Sequence, residues 1–158
     1  MKIRTATKED SADILKLIKE LASFEKEVDA VNCTVEDINR FSFGDEKLIS
    51  SLVLEVEQKV VAMAVYFFSW STWTGKKSLY LEDLYIQKSH RKKGYATKLI
   101  QELASIALSK DCQRLDLMVL EWNVNAIELY KKHSFKLKTD WIPCRLERQD
   151  MQKLIQKA

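Results

Sequence analysis

The chain has 158 residues, of which 46% are hydrophobic and 31% charged, and at this size one domain can bury about two-thirds of its unfolded surface. Its formal net charge of +3 does not single out nucleic acid as a partner, and no apolar run approaches the ~20 residues of a membrane span. The 3 cysteines are scattered without metal-ligand spacing, and the N-terminus lacks the apolar core of a signal peptide. We therefore expect a single domain over residues 1–158, free thiols, no bound metal and a cytoplasmic location.

The first half of the sequence predicts a strand, two helices and a pair of strands. Apolar residues at helical spacing mark the first helix, and a few polar residues between two branched runs predict a short hairpin. A loop rich in Trp and Thr follows over residues 70–75. The predicted bounds, in chain order, are a strand over 2–6, a helix from Thr7 or Asp10 to about residue 26, a short helix from 32–34 to Gly44, and strands over 52–56 and 60–68.

In the second half, predicted strands alternate with helices. An aromatic and branched run precedes a turn, and a long helical pattern follows it. Sequential strands at the start and alternation later predict an α/β domain with a mixed sheet and helices on both faces. The predicted bounds are strands over 78–87, 114–120, 135–138 and 145–146, and helices over 94–109 and 124–132, with a last helix capped by Asp150.

The turn at residues 91–96 has the sequence Arg-Lys-Lys-Gly-Tyr-Ala and lies between a predicted strand and a predicted helix. Unpaired N–H groups at a helix N-terminus bind anions, and Gly94 allows the backbone to come close to a ligand. In isolation such a turn is more often a solvated surface, and the cations from Lys88 to Lys93 could mark a nucleic-acid patch. No aromatic stacking motif accompanies them, so a polyanionic cofactor explains the same charges more economically.

This turn resembles the Arg/Gln-x-x-Gly-x-Gly/Ala turn of the GNAT superfamily of N-acetyltransferases, which holds the pyrophosphate of acetyl-CoA. Three further segments resemble the spermidine/spermine and thialysine N-acetyltransferases: residues 13–22, the strand 79–85 with Leu-Tyr-Leu-Glu-Asp, and Glu-Trp-Asn at 121–123 followed by 126–132. The resemblance covers nearly the whole chain. It implies a largely antiparallel sheet with a splayed, cofactor-binding pair of strands, and it implies a homodimer.

The resemblance assigns acetyl-CoA to the end of the strand before the turn, to the turn itself and to a later segment. The residues implied in cofactor binding are Leu84, Tyr85, Ile86, Arg91, Lys92, Lys93, Gly94, Tyr95, Ala96, Thr97, Asn123 and Tyr130. Tyr130 matches a catalytic tyrosine near the cofactor sulfur. A phenol with a pKa of about 10 can donate a proton to the leaving thiolate.

The resemblance also implies an acceptor site for a small-molecule amine. Glu82 matches the carboxylate that takes the substrate proton through water, and Asp83 matches one that pairs with a substrate ammonium. Neighbouring residues of a regular strand point to opposite faces, so both can line one pocket only if the strand has a bulge. Phe24 and Glu25 match a mobile loop over the amine, and Trp73 matches a pocket aromatic that can make a cation–π contact.

One position departs from the polyamine enzymes. They carry an Asp two residues before the matching tryptophan, where this chain has Ser71. With one carboxylate fewer, a diamine or a lysine-like amine is favoured over spermine or spermidine. Two further hypotheses stay open, namely transfer to a lysine or N-terminus of a protein, and a non-catalytic sensor that binds acyl-CoA.

Overall fold

The computed structural model describes residues 1–156, and the chain divides into two compact units, Met1–Met118 and Val119–Ala158. The end of the predicted domain, residues 157 and 158, lies outside the described residues, and the single domain stays a prediction. No described helix is long and apolar enough to cross a membrane.

The first unit contains the strands of a single sheet and the helices that cover it. In chain order its elements are β1 (Lys2–Thr5), α1 (Ser11–Glu25), α2 (Val35–Ile38), β2 (Ser50–Val56), β3 (Lys59–Ser71), β4 (Lys76–Ile86), α3 (Tyr95–Ser109) and β5 (Cys112–Leu117). A short π-helical turn, Asn39–Phe43, continues α2. The second unit contains α4 (Val124–Lys132) and α5 (Arg148–Gln156). The predicted loop over 70–75 is shorter than expected, because β3 extends to Ser71.

The strands of the first unit form a mixed sheet in the order β1-β2-β3-β4-β5. The pairs from β1 to β4 are antiparallel, and β4 pairs with β5 in parallel. Helix α3 connects β4 to β5 and forms the crossover that a parallel pair requires. The prediction of a mixed, largely antiparallel sheet is confirmed.

Two hydrophobic cores lie on opposite faces of this sheet. Because side chains of a strand alternate between its faces, Leu52 and Leu54 pack in one core with Leu103 of α3. Val53 between them packs in the other core, with Ile14 of α1. Helices therefore cover both faces of the sheet, as the order of the elements predicted.

Strand β4 carries a β-bulge. Val65 of β3 lies opposite Asp83, but the next residue, Tyr66, lies opposite Leu81, so Glu82 is an extra residue without an opposing partner. The bulge reverses the alternation of side chains: Leu81 and Leu84 both pack on the α3 side of the sheet. Asp83 follows the bulge, two residues before Tyr85, which is buried in the core on the α1 side.

Strands β4 and β5 separate after the bulge begins. Their parallel pairing ends at Leu81 and Leu117, whereas β4 continues to Ile86 and remains paired with β3, where Ala62 lies opposite Ile86. The last residues of β4 therefore have a strand on one side only within the described sheet. This is the splayed pair of strands that the resemblance implied.

The strands predicted over 135–138 and 145–146 are wrong, because neither segment pairs with a strand among the described residues. Alternation of side chains does not form a strand without a neighbouring ladder. At the first segment, α4 ends in a left-handed turn with Ser134 at a φ of 64°. The N–H of Phe135 then donates to the carbonyl of Tyr130 at 3.0 Å, which closes the helix end instead of starting a strand.

Candidate active site

The connection from β4 to α3 forms the predicted anion turn. The N–H of Gln87 donates to the carbonyl of Val61 at 3.0 Å, and one 3₁₀ turn, Lys88–His90, leads to Arg91. Gly94 is the N-cap of α3 with a φ of 76°, a left-handed conformation that favours glycine. Lys92 is also left-handed, with a φ of 61°.

This turn has the properties that a pyrophosphate site needs. The backbone N–H groups of the first turn of α3 point toward its N-terminus, and the helix dipole adds partial positive charge at the same end. A Cβ placed on Gly94 would meet no described heavy atom within 4 Å, so the space beside the backbone is open. Lys92 and Lys93 are exposed and add full positive charge. The residues present therefore fit a bound pyrophosphate.

The predicted cofactor residues of the first unit lie together along the chain. Leu84 and Ile86 pack partly buried on the α3 side of the sheet, and Tyr85 between them is buried on the α1 side. Tyr95, Ala96 and Thr97 form the first turn of α3 and are half-buried. The splayed end of β4 thus leads directly into the anion turn.

Arg91 does not extend into solvent as Lys92 and Lys93 do. Its guanidinium lies over the ring of Phe24 at 4.9 Å and over the ring of Tyr85 at 5.3 Å, measured to the ring centroids. Its Nε donates to the carbonyl of Ile86 at 3.0 Å. The predicted cofactor cation Arg91 therefore contacts a predicted acceptor residue, Phe24.

Three carboxylates interact by charge near the bulge of β4, since Glu82 and Glu25 both act on Asp83. Burial, and after it the charges of Glu82 and Glu25, together raise the pKa of Asp83 to about 6. Burial also raises the pKa of Glu25, with a smaller contribution from Glu27. Glu82 itself is exposed. Because like charges oppose one another's ionisation, this cluster favours the binding of a cation.

Phe24 and Glu25 do not lie in a loop, as the resemblance implied, but in the last turn of α1. The helix ends at Lys26, whose φ of 64° is left-handed and whose N–H donates to the carbonyls of Ala22 and Ser23. A helical turn fixes its side chains more firmly than a loop does. Glu25 consequently belongs to a regular element, and from there its charge raises the pKa of Asp83.

Trp73 lies at the tip of the β3–β4 hairpin and is 89% exposed. The last pair of this hairpin is Ser71 opposite Lys76. An extended strand rises about 3.3 Å per residue, so Asp83 lies roughly 20 Å from Lys76 along β4. Within one chain, the structure does not bring Trp73 to the carboxylates, and its role in the pocket stays a prediction.

Two predicted residues belong to the second unit. Asn123 is the N-cap of α4, and its side-chain oxygen accepts a hydrogen bond from the N–H of Ala126 at 3.3 Å. Tyr130 is buried in α4, and its ring lies 5.4 Å from that of Phe135. Burial raises the pKa of the Tyr130 hydroxyl to about 12, so the hydroxyl keeps its proton at neutral pH.

Three residues of the first unit, Gln87, Glu20 and Cys33, were missed by sequence reasoning. The amide of Gln87 donates to Glu20 at 3.0 Å, across 67 residues of sequence. Glu20 lies four residues before Phe24 on α1, and helical spacing places both on one face, so this signal was available once Phe24 was singled out. Burial raises the pKa of the Cys33 thiol, and the charges of Asp37 and Asp83 add to the effect. No sequence pattern indicated the charge interaction of Cys33 with Asp83.

Comparison with known proteins gives one consistent result. The profile of the Acetyltransferase (GNAT) family matches residues 14–135. The thialysine N-epsilon-acetyltransferase of Mus musculus is 36% identical, over 97% of this chain and 96% of that protein. The human spermidine/spermine N(1)-acetyltransferase-like protein 1 is 38% identical, over 81% of this chain but 19% of that protein. The solved structure of an integron cassette protein from V. cholerae superimposes with a TM-score of 0.81 and 23% identity, covering 98% of this chain and 96% of that one.

Proposed function

Because the chain belongs to the GNAT family of acetyltransferases, we propose that it transfers the acetyl group of acetyl-CoA to a primary amine of a small molecule, either a thialysine- or lysine-like amine or a diamine or polyamine. The carboxylate cluster of Glu25, Glu82 and Asp83 carries this proposal. A cluster of acids at the end of the splayed strand selects a positively charged acceptor. The names of two relatives, a thialysine and a spermidine/spermine acetyltransferase, agree with an acceptor of this kind.

Acetyl-CoA, when bound, supplies the acetyl group as a thioester. At Leu84–Ile86 the edge of β4 that faces away from β3 pairs with no strand of the described sheet, because β5 ends at Leu117, and it offers backbone donors and acceptors to an extended ligand. The N-terminus of α3 at Gly94 and the exposed ammonium groups of Lys92 and Lys93 hold the pyrophosphate. Asn123 is the proposed contact of the second unit.

The chain's own residues divide the remaining work. Asp83 and Glu25 hold the ammonium of the acceptor by charge. Glu82 accepts the ammonium proton through a water, which leaves a neutral amine that can attack the thioester. Tyr130 is the proposed acid: its hydroxyl, with a pKa raised to about 12, is protonated at neutral pH and donates toward the thiolate that leaves.

Thiol release from acetyl-CoA tests this proposal across thialysine, lysine, putrescine, spermidine, an aminoglycoside and a histone-tail peptide. We expect turnover on one of the small amines, at least a tenfold loss in Glu82→Gln and Tyr130→Phe, and no loss in Glu57→Gln, a control in the exposed β2–β3 turn. Turnover on the peptide alone would favour a protein acceptor. Tight binding of acetyl-CoA with no turnover on any amine would favour the non-catalytic sensor.

We also propose that the protein is cytoplasmic, on the basis of its scattered free cysteines, and that it is a homodimer, as the resemblance implies. Light scattering coupled to size exclusion measures the mass directly. A mass near the 18.4 kDa of one chain at all concentrations would rule out the dimer.

A further inference from the structure

Arg91 holds a position that its place in the anion turn does not explain. Its guanidinium lies over two rings, Phe24 at 4.9 Å and Tyr85 at 5.3 Å, and its Nε donates to the carbonyl of Ile86 at 3.0 Å. It is half-buried, whereas Lys92 and Lys93 beside it are exposed. A planar guanidinium suits such stacking, and the two rings and the hydrogen bond to the backbone together fix its orientation beside α1.

The contact with Phe24 joins two parts of the candidate site. Phe24 lies in the last turn of α1, and the next residue, Glu25, belongs to the carboxylate cluster. A second contact holds the same helix face, because the amide of Gln87 donates to Glu20 at 3.0 Å. The end of α1 is therefore attached to the β4–α3 connection by one hydrogen bond and one stacked cation.

We propose that Arg91 is a positioning residue that holds the last turn of α1, and with it Glu25, against the acceptor side of the site. This role differs from the pyrophosphate contact that the sequence motif implies for Arg91. The effect of Arg91 on catalysis rests on the proposed function, whereas its effect on the position of Glu25 does not. In this proposal, Lys92, Lys93 and the backbone of α3 bind the pyrophosphate.

Kinetics and binding separate the two roles of a cation in this turn. In Arg91→Met we expect the KM for the amine to rise about tenfold and the Kd of coenzyme A, measured by calorimetry without amine, to change less than about twofold. In the double variant Lys92→Met and Lys93→Met we expect the Kd of coenzyme A to rise and the KM for the amine to stay nearly unchanged. Arg91→Lys keeps the charge but not the planar group, so it should restore part of the amine KM. A coenzyme A Kd that rises in Arg91→Met as much as in the lysine variants, with an unchanged amine KM, would overturn the proposal.

A titration of Asp83 by carboxyl NMR tests the positioning without any turnover. The charge of Glu25 contributes to the raised pKa of Asp83, so releasing Glu25 should lower that pKa, in Arg91→Met as in Glu25→Gln. Loss of the Arg91 cation alone would raise the pKa of a nearby acid, so the sign distinguishes the two effects. An unchanged or higher pKa in Arg91→Met would overturn the proposal. A lower pKa together with no turnover on any amine would support the positioning and reject the proposed function.

Discussion

Asp83→Asn should stabilise the free protein at neutral pH while it impairs acetylation of the amine. Burial, then the charges of Glu82 and Glu25, raise the pKa of Asp83 from 3.8 to about 6. The ionised side chain is therefore less favourable in the folded chain than in the unfolded one. The buried negative charge that would attract a cation therefore lowers the free energy of unfolding as long as no cation is bound.

The size and the pH window of this effect follow from the pKa. Each pKa unit corresponds to about 1.4 kcal/mol, so ionisation of Asp83 lowers the free energy of unfolding by about 3 kcal/mol. The pKa of Asp83 is higher in the folded chain than in the unfolded one. The free energy of unfolding is therefore not reduced by Asp83 below pH 3.8, and the reduction develops as the pH rises through about 6. The variant and the parent should thus differ little at pH 4 and by about 3 kcal/mol at pH 7.5, or roughly 6–12 °C in Tm.

Urea unfolding at pH 4, 5, 6 and 7.5, followed by tryptophan fluorescence, measures this difference. Asp45→Asn is a matched control, because Asp45 is exposed in the segment between α2 and β2. The amine kcat/KM of Asp83→Asn should fall in the same preparation. A variant that is less stable than the parent at pH 7.5, or a difference that does not change with pH, would refute the reasoning.

Two further predictions concern the anion turn and the stability of the first unit. Gly94→Ala should cost about 1–2 kcal/mol of stability, because Gly94 has a φ of 76°, and it should weaken coenzyme A binding measured by calorimetry. Gly75→Ala is the control, because Gly75 has a φ of 64° and equally open surroundings, and it should cost the same stability but leave coenzyme A binding unchanged. Equal weakening of coenzyme A binding in both glycine variants would contradict this prediction. Asp10→Asn should cost about 2–4 kcal/mol at pH 7, because the 5% exposed Asp10 accepts hydrogen bonds from Arg4 at 2.6 and 2.8 Å. The hydrogen bond from Arg4 lowers the pKa of Asp10 below 3.8, so Asp10 stabilises the fold above about pH 4 and this stabilisation is lost as the pH falls further. Equal urea midpoints of the parent and Asp10→Asn at pH 7 would contradict this prediction.

Local sequence patterns predicted most of the secondary structure. Helices α1 and α3 and strands β2 to β4 all occur where apolar spacing placed them, because each buries one face in a core. The strands expected at 135–138 and 145–146 do not form. A strand depends on a neighbour that the local pattern cannot supply, and at Phe135 the closing turn of α4 uses the backbone N–H instead.

The sequence predicted only part of the candidate site. The anion turn could be read from the sequence, because a glycine and cations between a strand and a helix act through the backbone of one continuous segment. The bulge at Glu82 could not, because it is defined by the register of β4 against β3. The contact of Arg91 with Phe24 and the charge interaction of Asp83 with Glu25 join segments far apart in the chain.

The sequence by itself therefore determined the elements, the anion turn and the resemblance to acetyltransferases, since these depend on residues close together in the chain. Only the tertiary structure decided that Glu82 is the extra residue of a bulge, that the charge of Glu25 on α1 raises the pKa of Asp83, and that Arg91 stacks on Phe24. The physical reason is that strand register, burial and charge–charge interactions depend on distance in space, and packing of the two cores sets those distances.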